Sequence, residues 1–498
     1  MSRVSRLMPN GRSKNYLAFD IGAESGRAVL ARVAGETVAI EEVHRFPNQP
    51  IQESGSLRWD VKRLWDEIRT AFSKIHCELE GVGVDTWGVD YALLDGHGEL
   101  VENPYHYRDS RTRGIPEEVF DRVSKREIYS ITGVQFMPIN TLYQLFSEKK
   151  RTPEVLSRAK RLVMIPDLFH YWMTGRAVCE FTNASTTQMV NAITRTWDSE
   201  LLDRVELPSS LPVPIIEPGT VVGKMLSIAG APKLADTPVI APATHDTGSA
   251  VAAIAAREGT AFISSGTWSL VGTEVDAPVL SAHALQMNFS NEGGVNGTTR
   301  LLKNVMGLWM LRCCRESWSQ SGNQHDYDQL IGQAAAEPAF AHLVDPDDES
   351  FLAPAEMCTA IDEFCTRTHQ PEPATPGGYT RAILESLALK YRCVIEEVEH
   401  LTGERIEQIR VMGGGSRNRL LNQFTADATG RRVLAGPVEA TALGNAAVQI
   451  LATNEVTSLK EVRAMIERSF PLEIFEPRDS DRWTKAAKRF QQYREVYA

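Results

Sequence analysis

Residues 16–33 read YLAFDIGAESGRAVLARV and residues 261–275 read AFISSGTWSLVGTEV. Each stretch is an apolar run, a turn of small residues and a second apolar run, which predicts a β-hairpin rather than a strand that feeds a helix. Asp20 and Ser264 hold matching places about 244 residues apart, close to half of the 498-residue chain. Two further correspondences follow in order. Asp60 can cap a helix with Leu64, Ile68, Phe72 and Ile75 on one face, followed by the strand GVGVDTWG. In the second half, Ile383, Leu387, Tyr391, Val394, Val398 and Leu401 mark a long amphipathic helix ending at Gly403, followed by the strand and turn IRVMGGGSRN. TPVIAPATHDTGSAVAAIAA from Thr237 and RRVLAGPVEATALGNAAVQI from Arg431 each give an apolar strand, a Pro-containing turn and a small-residue helix. The pattern predicts an α/β protein built by duplication. Insertions of unequal placement are expected, roughly Tyr91 to Ala235 in the first half and Asp276 to Gly378 in the second.

Length alone favours two or three domains. With 43% hydrophobic and 23% charged residues the chain is globular in composition, so disorder and a disulfide-stapled mini-domain are excluded. Its 53 basic and 64 acidic residues give a net charge of −11, so no basic excess exists to meet a polynucleotide. Any anionic ligand must be met by a local site. Seven cysteines without a C-x-x-C spacing read as reduced cytoplasmic thiols, although Cys358 and Cys365 lie seven apart and can share a helix face. No signal peptide and no membrane span is expected.

Two glycine-rich hairpin turns suit a polyphosphate, because glycine lets the backbone approach and successive N–H groups form an anion-binding concavity. In the first turn, Ser25, Gly26 and Arg27 offer main-chain donors, a hydroxyl and a guanidinium. In the second, Ser265, Gly266 and Thr267 offer the same kind of contact. Asp20, at the strand end beside the first turn, is placed to hold Mg²⁺ through water. Walker-type and Rossmann-type fingerprints are missing: GTVVGKM around Lys224 has too few residues between its glycines and no Ser or Thr after the Lys. Gly413, Gly414 and Gly415 can form a wall for a flat adenine, or simply a turn that admits close packing. In THDTGSA, Asp246 sits where a strand gives way to a helix and can serve as general base for a substrate hydroxyl; its plainer alternative is a helix N-cap. No Ser-His-Asp order and no zinc spacing competes for these residues.

DIGAESGR, DTWGVDY, THDTGSA, SSGTWSL, GGGSRN and GPVEATALGN resemble, in this order, the FGGY sugar kinases of the actin, hexokinase and Hsp70 superfamily. The likeness runs from about Tyr16 to the C-terminal region. YRDSRT, INTLYQL, TNASTTQ, NEGG and LKNVMGLW are similar to the branch of that family that acts on L-rhamnulose. The resemblance implies two RNase H-like domains with a central cleft, MgATP as co-substrate and phosphorylation of a ketose at its 1-hydroxyl in L-rhamnose catabolism. Its implied bounds are a flexible tail over 1–14, a sugar-side domain over 15–256 and a nucleotide-side domain over 257–498. Carried over by position, Ala23, Glu24, Ser25, Gly26, Arg27, Thr267, Arg312 and Gly414 contact ATP. Gly88, His245, Asp246, Thr247 and Asn304 contact the sugar, and Asp246 is the base. Glu24 stands where a small hydroxyl residue is frequent and Arg312 where the branch has Gln, so these two contacts are the open ones. L-fuculose or a pentulose as substrate, a catalytically silent sensor, and an ATPase of the wider superfamily are the alternatives.

Overall fold

The computed structural model describes residues 13–495 apart from 229, 257 and 353. The expected tail therefore lies outside the described residues up to residue 12, and the first strand already begins at Lys14. The chain forms two compact units. One comprises the described part of Met1–Ala255 with Val275–Leu301 and Ala440–Phe470; the other comprises Ala256–Glu274, Leu302–Glu439 and the described part of Pro471–Ala498. The units are not contiguous halves, because Val275–Leu301 and Ala440–Phe470 return to the first unit.

The first unit is built on a six-stranded sheet. Strands β1 (Lys14–Ile21), β2 (Ser25–Ala34) and β3 (Thr37–Pro47) form an antiparallel meander. Strand β4 (Gly81–Thr86) runs parallel to β1, β6 (Pro238–Ile240) runs parallel to β4, and β5 (Val221–Lys224) closes the edge antiparallel to β6. The order is β5-β6-β4-β1-β2-β3. Helix α1 (Val61–Ser73) is capped by Asp60, whose side chain accepts from Arg63 N at 3.1 Å, and buries Leu64, Ile68 and Phe72. Each such apolar side chain contributes about 1.5–3 kcal/mol. Ile75 lies past the helix end.

The second sheet has seven strands, in the order of the short edge strand Ser290–Gly293, then β9 (Thr299–Met306), β8 (Trp268–Val275), β7 (Thr260–Ser265), β10 (Gln408–Met412), β11 (Arg432–Ala435) and β12 (Glu473–Phe475). Here too the hairpin β7–β8 is antiparallel, β7 is parallel to β10, and β10 is parallel to β11. Apart from the added edge strand Ser290–Gly293, the two sheets repeat one strand order, and the pairs β1–β2 and β7–β8, β1–β4 and β7–β10, β4–β6 and β10–β11, β5–β6 and β11–β12 run in the same senses. The expected second insertion is interrupted, since β9 falls inside residues 276–378 and takes the place that β3 has in the first unit. Helix α2 (Pro376–Thr402) buries Ile383, Leu387, Tyr391, Val394 and Val398 and ends on Gly403 at φ 72°. The last helix, α3 (Ser480–Glu495), lies in the second unit, where Trp483 meets Phe340 edge-on at 4.8 Å and Phe424 at 5.2 Å between ring centres. Among the described residues no helix is long and apolar enough to cross a membrane. None of the seven cysteines is in a disulfide; Cys365 is buried and Cys358 half-buried on the same helix, Met357–Arg367.

The two small-residue helices meet in the first unit. Helix α4 (Ala440–Ala452) is buried over most of its length and packs on α5 (Asp246–Ala252) so closely that a Cβ on Gly444 would collide with the Ser249 carbonyl. That contact explains why residues 440–470 rejoin the first unit: an all-round apolar helix needs cover on more than one side. Gly444→Ala is expected to destabilise the protein by about 3 kcal/mol, at the upper end of overpacking, read as a lowered urea midpoint with an unchanged slope.

Candidate functional site

Parallel pairing aligns the ends of three strands. Asp20 on β1 is the register partner of Asp85 on β4, and Thr86 bridges His245, the residue after which α5 begins. Asp20, Asp85 and Asp246 therefore share the carboxyl edge of the sheet, where open α/β sheets place their ligands. Across the hairpin Asp20 faces Arg27, whose Nε and Nη2 donate to Asp20 Oδ2 at 2.9 and 2.6 Å. The turn between them closes with Gly22 N donating to Ser25 O at 3.0 Å. Ala23 is half-buried, Glu24 and Ser25 are exposed, and Gly26 is buried beneath the Phe46 ring, which leaves no room for a Cβ.

Asp85 is fully buried, and burial pushes its carboxyl well above the usual range, with the Asp20 charge adding to the effect. Asn445 of α4 opposes that shift by donating to Asp85 Oδ2 at 2.6 Å, while Asp85 Oδ1 has no partner. Asp246 is the first residue of α5 and not its N-cap, a place held by His245. Its Oδ1 accepts from its neighbour Thr247, from N at 2.5 Å and from the hydroxyl at 3.1 Å. Burial pushes its carboxyl above the usual range and the Asp20 charge pushes it further, against the lowering effect of His245. Its side chain is nevertheless 32% open, so a hydroxyl can reach it. His245 Nε2 stands 3.5 Å from Asp246 Oδ1 and Nδ1 stands 3.2 Å from Glu292 Oε2. Arg300, fully buried, lies 3.2 Å from both Glu292 Oε2 and His245 Nδ1, and donates from Nε to Gly293 O at 2.8 Å. Although burial pushes Glu292 upward, Arg300 and His245 together hold it below the usual range.

Gly88 follows β4, with Thr186 so near that a Cβ would stand 3.1 Å from its hydroxyl and methyl. The next residue, Val89, has φ 66°, a left-handed conformation that strains a β-branched side chain by about 1–3 kcal/mol. It is held there by Thr186 Oγ1, which accepts from Val89 N at 3.0 Å, and by Thr141, whose hydroxyl donates to Val89 O at 2.6 Å. Asp90 beyond it is fully buried and accepts from Trp59 Nε1 at 2.6 Å, Trp87 Nε1 at 2.9 Å, Tyr107 N at 3.2 Å and Gln144 Nε2 at 2.8 Å.

The second unit carries the other set of expected contacts. The turn at Gly266 and Thr267 is braced by the KNVMGLW segment: Gly266 O accepts from Leu308 N at 3.0 Å, and Thr267 O accepts from Gly307 N and Trp309 N at 3.2 Å each. Gly413, at φ 80°, and Gly415 press on Ser265, whereas Gly414 is exposed with nothing near. The expected alternative for these glycines, close packing, thus applies to Gly413 and Gly415. Arg312 is half-buried, with Nε donating to Glu316 Oε1 at 2.8 Å. Asn304, half-buried on β9, belongs to this unit, while Gly88, His245, Asp246 and Thr247 belong to the first.

Several members of these clusters were not singled out as site residues by the sequence. Asn48 grips the first hairpin turn: its amide nitrogen donates to Gly22 O at 2.9 Å and its backbone N to Glu24 O at 2.8 Å. Asn445, Glu292 and Arg300 stand in or beside motifs whose wording carried the family resemblance, yet nothing local marks their partners. Among the described residues no group of three His, Cys, Asp or Glu side chains gathers to cage a metal ion. Asp20 and Asp85, the latter with a buried and unpartnered Oδ1, are carboxylates of the kind that Mg²⁺ takes together with waters and substrate phosphates.

The comparisons agree with this architecture. The models of the FGGY family of carbohydrate kinases match the chain over residues 15–253 (N-terminal domain) and 261–453 (C-terminal domain), and the chain belongs to that family. Two relatives, both named Rhamnulokinase, are from Bacteroides thetaiotaomicron, 43% identical over 96% of this chain and 99% of the relative, and Bacillus subtilis, 41% identical over 94% and 96%. Among solved structures, gluconate kinase from Lactobacillus acidophilus superposes with a TM-score of 0.78 at 18% identity, covering 97% of both chains. Glycerol kinase from Plasmodium falciparum with ADP does so with 0.77 at 16% identity, covering 97% and 98%. These two show the fold, two domains of mixed helix and sheet.

The buried Asp90 makes a pH-dependent prediction. Burial pushes its carboxyl from 3.8 to about 6 against its three side-chain donors. The folded state keeps this proton to higher pH than the unfolded chain, so the group's stabilising contribution is full in acid and is lost as pH rises from about 4 to about 6. Asp90→Asn is expected to remove that part of the pH dependence, worth up to about 3 kcal/mol, visible in thermal melts of the two proteins at matched ionic strength.

Proposed function

We propose that the chain transfers the γ-phosphoryl group of MgATP to the 1-hydroxyl of L-rhamnulose. The observation that carries the chemistry is Asp246: a carboxyl at the strand-end edge, pushed above the usual range by burial, with Thr247 and His245 on Oδ1, and open on one side. The named relatives, which match over more than nine-tenths of the chain, support the substrate.

In this reading Gly88, His245, Thr247 and Asn304 bind the ketose. Asp246 accepts the proton of the 1-hydroxyl as its oxygen attacks phosphorus. His245, held by Glu292 and Arg300, keeps the Asp246 carboxylate oriented and favours its ionised form. Ala23 to Arg27 on the first turn and Thr267 and Gly414 on the second unit hold the nucleotide, with Glu24 contributing through its main chain. Arg312, engaged with Glu316, is the weakest of the assigned contacts. Asp20 and, beside it, Asp85 face the place where Mg²⁺ would sit through water. Bound there, Mg²⁺ supplies charge neutralisation on the phosphates. The acidic net charge is no obstacle, because the anion is met locally by backbone N–H groups and Arg27. We place the reaction in the cytoplasm, where thiols stay reduced.

Asp246→Asn is expected to lower kcat by about 10²- to 10⁴-fold while calorimetry still records binding of sugar and nucleotide. Near-normal turnover would remove Asp246 from the role of base. ADP release measured over L-rhamnulose, L-fuculose, pentuloses and no sugar should be greatest with L-rhamnulose. Silence on every 6-deoxyketose would overturn the substrate, and equal release without sugar would make the protein an ATPase.

A further inference from the structure

Glu180 lies outside the groups assigned above and is fully buried at the end of the short strand Cys179–Glu180. Its two carboxylate oxygens take four donors. Oε1 accepts from Thr182 N at 2.8 Å, and Oε2 accepts from the Thr182 hydroxyl at 2.5 Å, Thr244 N at 2.8 Å and the Thr244 hydroxyl at 2.7 Å. Thr244 directly precedes His245 and Asp246. The same Thr182 hydroxyl accepts from His245 N at 3.2 Å, and Thr244 O accepts from Thr86 N at 2.9 Å. One side chain therefore fixes the backbone of two consecutive residues immediately before the proposed base.

We propose that Glu180 is the positioning residue of that base: as a carboxylate it holds Thr244, and through Thr182 it holds His245, so that Asp246 is aimed at the substrate hydroxyl. Four donors on two oxygens are met in full only by the ionised acid, because backbone N–H groups cannot turn round to accept. A proton on Glu180 must release one donor or reverse a threonine hydroxyl, and the segment 244–246 loosens. The titratable neighbours are Asp167, whose Oδ2 accepts from Glu180 N at 3.1 Å, His170 at 3.6 Å from Asp167, the Cys179 thiol, His245, Asp246, and Glu292 with its Arg300. No ion pair to Glu180 forms among the described residues, and burial pushes its carboxyl up to about 7 against the donors. Activity should then rise with pH through about 7 as the carboxylate and its clamp are restored.

The inference rests on Asp246 as base, so the full-length chain is assayed with L-rhamnulose and MgATP from about pH 5.5 to about pH 8.5 alongside Asp246→Asn. Glu180→Gln is expected to lower kcat by about tenfold or more, as a small misplacement of a reacting group does, with KM for MgATP unchanged and the acid limb near 7 gone. Thr244→Val, which removes one hydroxyl donor, should lower kcat several-fold and shift the limb; Thr244→Ser, which keeps both bonds, should restore both. If Glu180→Gln does not fold, the Thr244 pair decides alone. Full turnover in Asp246→Asn would overturn the base itself. Lost turnover there, with wild-type kcat and pH profile in Glu180→Gln or, failing that, in Thr244→Val, would overturn only the positioning role.

Discussion

The parallel register of β1 and β4 sets two aspartates, Asp20 and Asp85, side by side at neighbouring strand ends. Strands lie about 4.8 Å apart, so two ionised carboxylates there would repel strongly unless each found its own compensation. Arg27 supplies it for Asp20 from the opposite strand of the hairpin. Asp85, fully buried, is met by one amide from Asn445, and burial together with the Asp20 charge pushes its carboxyl well above the usual range, against Asn445 and Arg27. Much of the first unit follows from bringing that amide into place. Asn445 belongs to α4, and α4 can approach the sheet only because Gly81 and Gly83 have no side chains: a Cβ at Gly83 would stand 2.8 Å from Asn445 Oδ1 and 3.0 Å from Ile240 O. Gln449, one turn further on, donates to Leu17 O at 3.1 Å. The alternating glycines of GVGVD thus serve helix packing, and the small residues of α4 and α5 do the same on the other side.

A second theme is the use of buried carboxyls as hydrogen-bond hubs rather than as ion pairs. Asp90 gathers two indoles, a backbone N–H and a glutamine amide, and so pins the strained Val89 next to Gly88. Glu180 gathers two threonines beside His245. Such hubs fix loop backbones in conformations that local sequence would not adopt, and they tie site geometry to pH because each hub retains its proton above the usual range. In the second unit the corresponding work is done by backbone pairing, with the turn at Gly266 and Thr267 bonded directly to residues 307–309.

Much of this was legible from residues alone. The hairpins, the helices capped by Asp60 and ended by Gly403, and the strand-to-helix passages at Thr237 and Arg431 are local: spacing, capping and turn chemistry specify them. Arg27 could be read as a guanidinium for phosphate, whereas its bond to Asp20 across the hairpin came only from the structure. Legibility failed where the partner is distant in sequence. Asn48 on the first turn, Asn445 on Asp85 and Glu180 on Thr244 are 26, 360 and 64 residues from the groups they hold. The role of Asp246 shows the boundary: its place at the helix start could be read, but whether it caps the helix or faces a ligand depends on His245 taking the cap.

By itself, then, the sequence determined the duplicated α/β pattern, the two glycine-rich turns and the family, because these rest on short-range periodicity and on motif wording. Tertiary structure alone decided that residues 275–301 and 440–470 rejoin the first unit, that β9 replaces part of an expected insertion, and which carboxyls burial pushes above the usual range. Those outcomes depend on burial, which is a property of what packs against a residue and is not encoded near it in the chain.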